Sequence, residues 1–179
     1  MTKIFTSVFI AMMSAAYGQV IIGDAIGTAT EKTSVLLEFA ANQNRGLVLP
    51  YVRTLPANPA EGTLILDATN PVQARVKYFN GNWTDLSSQD ADVSTAMTAQ
   101  PTILQAPEAA EAKTIIGAAT STADGVLVLE STTKAMILPT VEDVQNIINP
   151  AAGMLVYVNK AGAKRLAVFN GSKWSYWRP

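Results

Sequence analysis

The sequence contains no cysteine and no histidine. Without cysteine no disulfide can stabilise the fold, so each small unit must depend on its own core or on a partner chain. The two absences also exclude thiol nucleophiles, zinc sites built from cysteine and histidine, and every catalytic triad that needs an imidazole. Charged residues make up only 15% of the chain, the net charge is −1, and no basic run occurs. Nucleic acid is therefore not an expected partner, and no cofactor is predicted.

Hydrophobic residues make up 49% of the 179 residues. With so few charges, the polar surface must come mostly from Thr, Ser, Asn and Gln. This composition favours β-structure in an extracellular or envelope protein over a charged cytosolic enzyme.

Residues 1–18 have the pattern of an export signal. Lys3 gives a positive start, an apolar run extends from Ile4 to Met13, and small residues precede Gly18. Cleavage after Gly18 would leave Gln19 as the first residue. The apolar run is too short to cross about 30 Å of hydrocarbon, which disfavours the alternative of a membrane anchor. We therefore expect a secreted protein without a membrane span after signal removal, at the cell surface, outside the cell or in the periplasm.

A strand, an Asn-Gly turn and a return strand that carries a tryptophan occur twice, about ninety residues apart. The residues that anchor the two hairpins are Asn80, Gly81 and Trp83, and then Asn170, Gly171 and Trp174. An Asn-Gly pair predicts a type I′ turn, in which both central residues need a positive φ. The loop lengths then predict that each tryptophan faces the residue two before the asparagine, and this shared pairing indicates a buried tryptophan face.

The remaining segments repeat in the same order on both sides of the chain. We predict residues 19–86 as a first β-repeat module, 87–113 as a linker or stalk, and 114–179 as a second module. The fold class is mainly β: two tandem small antiparallel β-meander modules with little helix. The strands expected in the first module are Ser34–Phe39, Leu47–Leu49, Gly62–Asp67, Arg75–Phe79 and Asn82–Leu86.

Two short helices are predicted. One lies within the linker, around residues 92–100, and the other covers Thr140–Ile148. In the second helix Thr140 would be the N-cap, and Val141, Val144 and Ile148 would share one face.

The order of these motifs resembles a known module. A strand ending in Leu-Glu is followed by an apolar-Leu-Pro strand, a Gly-apolar strand and a Phe-Asn-Gly-x-Trp hairpin. This order is similar to that of secreted Bacteroidetes surface proteins and of phage tail-fibre-like proteins, and Gly18-Gln19 fits that bacterial group. The resemblance implies a structural or adhesive β-module without enzymatic activity, often assembled as an intertwined homotrimer.

No set of residues indicates catalysis or a metal site. Asp90 and Asp92 are too few for calcium, and the adjacent Glu142 and Asp143 fit a helix N-terminus better than an active site. The exposed aromatic candidates are Tyr176 and Trp177, which could contact a sugar or a partner protein.

Two functions follow from these features. The first is a non-enzymatic secreted structural or adhesive surface protein that is part of a larger extracellular or envelope assembly. Because each module offers few core residues, we expect a homo-oligomer, with a trimer favoured. The alternative is a carbohydrate-binding module that uses the C-terminal aromatics. The oligomeric state of the secreted protein would distinguish the two.

Overall fold

A computed structural model describes residues 19–102, 104–107, 109 and 112–177. The predicted export signal, residues 1–18, lies outside the described residues. The first unit contains β1 (Val20–Ile22), β2 (Val35–Phe39), β3 (Leu47–Val48), β4 (Tyr51–Val52), β5 (Leu64–Asp67), β6 (Arg75–Asn80) and β7 (Asn82–Asp85). The helix α1 (Ser94–Thr98) follows. The second unit contains β8 (Thr114–Ile116), β9 (Leu127–Leu129), β10 (Ala135–Ile137), β11 (Thr140–Val141), β12 (Met154–Val158), β13 (Arg165–Phe169) and β14 (Trp174–Trp177).

The strand pairings of the two units match. Each unit begins with a parallel pair, β1 with β2 and β8 with β9. Each then adds a short parallel strand, β4 or β11, to one edge of a three-stranded antiparallel meander, β5-β6-β7 or β12-β13-β14. The predicted mainly β class is therefore confirmed, and each unit contains one three-stranded antiparallel meander.

The larger arrangement differs from two tandem meander modules. The parallel pairs lie outside the meanders, and the succession of short strands gives a β-solenoid-like arrangement. Strands this short carry an apolar pattern but no information on whether their neighbour runs parallel or antiparallel. For that reason the sequence predicted most of the strands but not the partners of those outside the meanders.

The two units also exchange strands. In the first unit, β3 pairs antiparallel with β12, so that Leu47 lies opposite Leu155. In the second unit, β10 pairs parallel with β2, so that Met136 lies opposite Leu37. The units are therefore joined by backbone hydrogen bonds as well as by the connecting segment.

One hydrophobic cluster extends across both units. It includes buried residues of the first unit, the connecting segment and the second unit: Leu49, Leu66, Ala68, Ala74, Val76, Leu86, Val93, Met97, Ala152, Leu155 and Val168. A second cluster lies within the second unit and includes Val141, Val156 and Val158. We refer to these as the shared cluster and the second-unit cluster.

The beginning of the connecting segment packs against the body of the protein. Val93 and Met97 are buried in the shared cluster, and a guanidinium nitrogen of Arg53 donates to the Met97 carbonyl at 3.0 Å. The short helix predicted around residues 92–100 is confirmed as α1. Within the described residues, no helix has the length and apolar character needed to cross a membrane.

The predicted helix at Thr140–Ile148 is wrong. Thr140 and Val141 form β11, which adds to the edge of β12, and only a three-residue 3₁₀ turn follows at Val144–Asn146. Asp143, rather than Thr140, caps this turn by accepting from the Gln145 amide. Ile148 is 86% exposed instead of sharing the buried face. The β-branched Thr-Val pair takes the same edge position that β4 takes in the first unit, so the residues predicted as the N-cap and first turn of the helix belong to a strand.

Candidate functional site

Both predicted hairpins are present, and each sets its tryptophan against a phenylalanine. Phe79 lies opposite Trp83 in the first unit, and Phe169 lies opposite Trp174 in the second. The ring centroids are 5.3 and 5.2 Å apart, which is a favourable separation for aromatic pairs. Both tryptophans are half-buried rather than buried, and Trp174 packs against the second-unit cluster.

The predicted register of the hairpins is wrong by one residue. Tyr78 and Val168, which were expected opposite the tryptophans, pair instead with a threonine and a serine. The difference arises because the first turn is not type I′: Asn80 pairs with Asn82, and within this turn only Gly81 has a positive φ, 69°. A glycine suffices there because it reaches the left-handed region without a steric cost.

The two hairpin asparagines have different environments. Asn170 is fully buried, and its Oδ1 accepts from the amides of Ser172 and Lys173 at 2.9 Å each. Its Nδ2 donates to the Gln89 carbonyl of the connecting segment at 2.8 Å. Asn80 is exposed. The second hairpin is therefore tied to the connecting segment through a side chain, and the sequence alone did not distinguish the two positions.

The C-terminal strand also contacts the end of the first unit. The indole N–H of Trp177 donates to the Leu86 carbonyl at 2.9 Å, and the Ser175 hydroxyl donates to the Ser87 carbonyl. Trp177 and Ser175 lie on one face of β14, because alternate residues of a strand share a face. That face is directed at the first unit.

Tyr176 lies on the opposite face of β14. Its ring stacks under the guanidinium of Arg165, with 4.1 Å between the guanidinium carbon and the ring centroid. Tyr176 and Trp177 are each 42% exposed. Because the two rings are on opposite faces of one strand, they do not form one continuous stacking surface.

The acidic residues weighed for calcium or catalysis have local partners. Asp90 pairs with Arg75 at 2.6 Å, and Asp92 accepts from the Ser94 amide at 2.9 Å. Asp143 pairs with Lys160 at 2.7 Å, and this hydrogen bond lowers the pKa of the Asp143 carboxyl. In the described ranges no three acidic side chains converge on a point where a metal ion could bind.

One buried carboxylate received no role from the sequence. Glu38 is completely buried near the C-terminal end of β2 and accepts from the amides of Thr28 and Ala29 and from the side-chain amide of Gln19. Lys32 lies 3.7 Å from it. Burial raises the pKa of Glu38, but the hydrogen bonds and the lysine lower it by more, so it lies below its ordinary value of 4.5. Glu38 therefore fixes the loop between β1 and β2.

A cleft of about 450 Å³ lies where the two units meet. Asn42 and Thr28 of the first unit and Thr140, Tyr157 and Lys164 of the second line it. These side chains are polar but contain no carboxylate that could act as an acid or base. The cleft is a polar seam between the two units.

The fold and these contacts define a repeat-like, mainly β protein in which two units share a core and exchange strands. Residues 115–178 match the family model described as a phage tail like trimerisation region. The match covers the second unit and less than half of the chain. None of the curated proteins and none of the solved structures compared with the chain matches it.

The family match agrees with the resemblance to phage tail-fibre-like proteins that the motifs indicated. It supports the expectation of a homo-oligomer, and of a trimer in particular. The matched residues include β9 to β14, so the region carries both the meander of the second unit and the strand that it gives to the first.

Proposed function

We propose that the protein is a non-enzymatic, secreted structural subunit of a fibre-like homotrimer at the bacterial cell surface. The observation that carries this proposal is the match of residues 115–178 to a trimerisation region. The absence of both cysteine and histidine, and the local pairing of the carboxylates, also favour a structural role over a catalytic one.

Both units are proposed to be copies of one module. The family model covers only the second unit, but the first unit has the same parallel pair, the same added parallel strand and the same three-stranded meander. The Phe-Trp pair at the end of each unit supports the same reading, because the two ring separations differ by only 0.1 Å (5.3 minus 5.2 Å). An origin in Bacteroidetes and an adhesive role belong to the proposal and rest on the motif order and on Gly18-Gln19.

The oligomeric state is tested by sedimentation velocity on the purified protein over a hundredfold range of concentration. We expect the mass of three chains, with dissociation only at the lowest concentrations. A protein that sediments as a single chain throughout the range would overturn the trimer.

Export is tested by N-terminal sequencing of the protein recovered from the medium or the cell surface of a Bacteroidetes host. The proposal expects the chain to begin at Gln19. Recovery of the chain only from the cytoplasm, with residues 1–18 retained, would contradict secretion.

The carbohydrate-binding alternative has one favourable observation, the exposure of Tyr176 and Trp177. It is weakened by the opposite orientation of the two rings and by the hydrogen bond of Trp177 to Leu86. A glycan array with the wild type and with Trp177→Ala decides between the two. Binding that is lost in the variant, with the trimer retained, would favour the alternative.

A further inference from the structure

Each unit gives the other one strand, and the two strands are equivalent in sequence but pair at different places. The strand β3 and the two residues after it read Leu47-Val48-Leu49-Pro50, and the corresponding segment of the second unit reads Met136-Ile137-Leu138-Pro139. These are equivalent strands, yet β3 adds to β12 of the second unit whereas β10 adds to β2 of the first. Each unit therefore has two receiving edges, and the contact within one chain fills only one edge in each.

Among the residues that the structure describes, no strand covers the edge of β5 that corresponds to the covered edge of β12. Met154 and Leu155, which β3 covers, are 8% and 3% exposed, whereas the equivalent Thr63 and Leu64 are only half-buried. The glycine before them shows the same difference. A Cβ on Gly153 would lie 3.5 Å from the Leu49 carbonyl of the first unit, whereas a Cβ on the equivalent Gly62 would have no neighbour within 4 Å.

The backbone of β5 is also directed at this bare edge. The Leu66 amide donates at 3.0 Å to the carbonyl of Pro50, the residue just before β4. The N–H and C=O groups of the even-numbered residues of β5 therefore face the side on which β4 lies. Leu64 lies two residues before Leu66 and beyond the end of β4. Its N–H and C=O therefore face the position that β3 occupies beside β12.

The edge of β9 is bare in the same way. In the first unit, β10 covers β2, and Val35 and Leu36 are 4% and 3% exposed. In the second unit, the described residues pair β9 only with β8, and Val126 and Leu127 are 70% and 42% exposed. Within the described residues, the start of β5 and the strand β9 thus present unpaired edges with apolar side chains, and such edges are rarely left open in a soluble protein.

The chain also carries the strands that fit these edges. The Ala135 amide donates to the Ser34 carbonyl at 2.7 Å, so Ala135 points its backbone groups at β2. The pairing with β2 is irregular between Ala135 and Met136, and β10 is the outermost strand of the β1-β2-β10 sheet within the described residues. β10 therefore has a second edge available for pairing. The strand β3 pairs with β12 through one edge, and its residue Val48 is 45% exposed, so its other edge is also available.

We propose that a second copy of this chain fills both edges by repeating the contact between the two units. β10 of one copy adds antiparallel to β5 of the next, with Ile137 opposite Thr63 and Met136 opposite Leu64. This is the register of Val48 opposite Met154 and Leu47 opposite Leu155. In the same interface, β3 of the receiving copy adds to β9 of the donating copy. The inference rests on the proposed homotrimer and names the surface that assembles it.

The contact joins different surfaces of the two copies, so it is heterologous and repeats around a ring. Three copies close the ring in the proposed trimer, and each copy then gives β10 to one neighbour and receives it from the other. Both the β5 edge and the β9 edge of every copy are covered in such a ring. A contact of this kind that failed to close would instead extend into a filament.

Engineered cysteines test the register without interference, because the chain has none of its own. Leu49 donates to the Gly153 carbonyl, so Val48 and Met154 form the non-hydrogen-bonded pair, in which the Cα atoms lie about 4.5 Å apart. The equivalent pair between copies is Thr63 and Ile137. In Thr63→Cys/Ile137→Cys we expect disulfides between chains and a covalent trimer on a non-reducing gel.

Three variants serve as controls under the same oxidation. Val48→Cys/Met154→Cys should form its disulfide within one chain and migrate as a monomer, which shows that this geometry permits a bond. Thr63→Cys alone and Ile137→Cys alone should remain monomeric on the gel, because identical residues do not meet across a heterologous contact.

Sedimentation of the same samples before denaturation separates the two proposals. A trimer in which the Val48/Met154 pair forms and the Thr63/Ile137 pair does not would overturn this interface and leave the proposed trimer standing. A single chain by mass would overturn both. A Thr63/Ile137 disulfide within one chain would also contradict the interface.

Hydrogen exchange of the wild type gives a measurement that needs no substitution. In the trimer the Leu64 amide should be protected to a similar degree as the Leu155 amide, since both would donate to an added strand. Exchange of Leu64 at the rate of an unstructured amide, in a sample shown to be trimeric, would overturn the interface.

Discussion

Glu38 shows how a single buried charge organises a loop. Its carboxylate is completely buried and is satisfied by the Ala29 amide at 2.8 Å, by the Gln19 side chain at 2.8 Å and by Thr28. Ionised acceptors give the stronger class of hydrogen bond. The loop before β2 therefore owes its position to one charged side chain near the end of an otherwise apolar strand.

Substitution of Glu38→Gln should lower the free energy of unfolding at pH 7 by about 1.5–3 kcal/mol, because hydrogen bonds to a charged group are lost. The folded pKa of Glu38 lies below the unfolded value of about 4.5, so its contribution is present above that pH and is lost as the pH falls through the folded pKa. Urea unfolding at pH 7 and at pH 3 should show a smaller difference between wild type and variant at pH 3.

The matched control for this substitution is Glu130→Gln in the second unit. Glu130 is half-buried and accepts from the Ser121 hydroxyl, so its replacement should cost less than that of Glu38. Equal losses from the two variants at pH 7 would contradict the role assigned to Glu38.

The two hairpin asparagines give a second comparison at the scale of one residue. Asn170→Ala should destabilise the protein by about 1–3 kcal/mol, because it removes three hydrogen bonds from a buried position. Asn80→Ala, at the exposed equivalent, should change the free energy of unfolding by less than about 0.5 kcal/mol. Denaturant unfolding of the two variants measures both values, and similar losses would be evidence against the buried tie to Gln89.

At the scale of elements, α1 holds the connecting segment in the core through one side chain. Met97 is 4% exposed and packs in the shared cluster. Met97→Ala should cost about 2–5 kcal/mol, the range for deleting a large buried side chain. Thr95→Ala, on the exposed side of the same helix, should cost less than about 0.5 kcal/mol. Thermal unfolding followed by circular dichroism would detect the difference, and an unchanged Tm in Met97→Ala would contradict the packing of this helix.

The elements also show what the sequence could predict. Local signals were enough for β2, β3 and the hairpins, because apolar runs bounded by Gly, Asn and Pro indicate strands and turns. The helix predicted over residues 140–148 is wrong because Val141 and Val144 are buried with a spacing that suits both a helix and a short strand followed by a turn. Only the available edge of β12 decides between the two.

The candidate interface could not be predicted for the same reason. The sequences of β3 and β10 show that they are equivalent, but not that one adds to β12 and the other to β2. The difference in burial between Leu155 and Leu64 appears only when the partner strand is in place. Long-range pairing of strands is set by three-dimensional proximity, which short apolar motifs do not encode.

At the scale of the whole molecule, the shared cluster binds the two units into one cooperative body. Its members come from the first unit, the connecting segment and the second unit, so part of the apolar surface of each unit is buried only against the other. This agrees with the low charge content and the absence of disulfides, since stability must come from burial within the chain or between chains.

Calorimetry of the purified protein should therefore show one unfolding transition rather than two, with a Tm that rises with protein concentration because unfolding is coupled to dissociation.

Leu155→Ala, which removes a side chain that is 3% exposed in the shared cluster, should lower the Tm of that single transition without splitting it, at a cost of about 2–5 kcal/mol in the free energy of unfolding. Ile148→Ala, at a residue that is 86% exposed, should leave the Tm within about a degree of wild type. Two resolved transitions would contradict the shared core, whereas a Tm that does not change over a hundredfold dilution would contradict the oligomer.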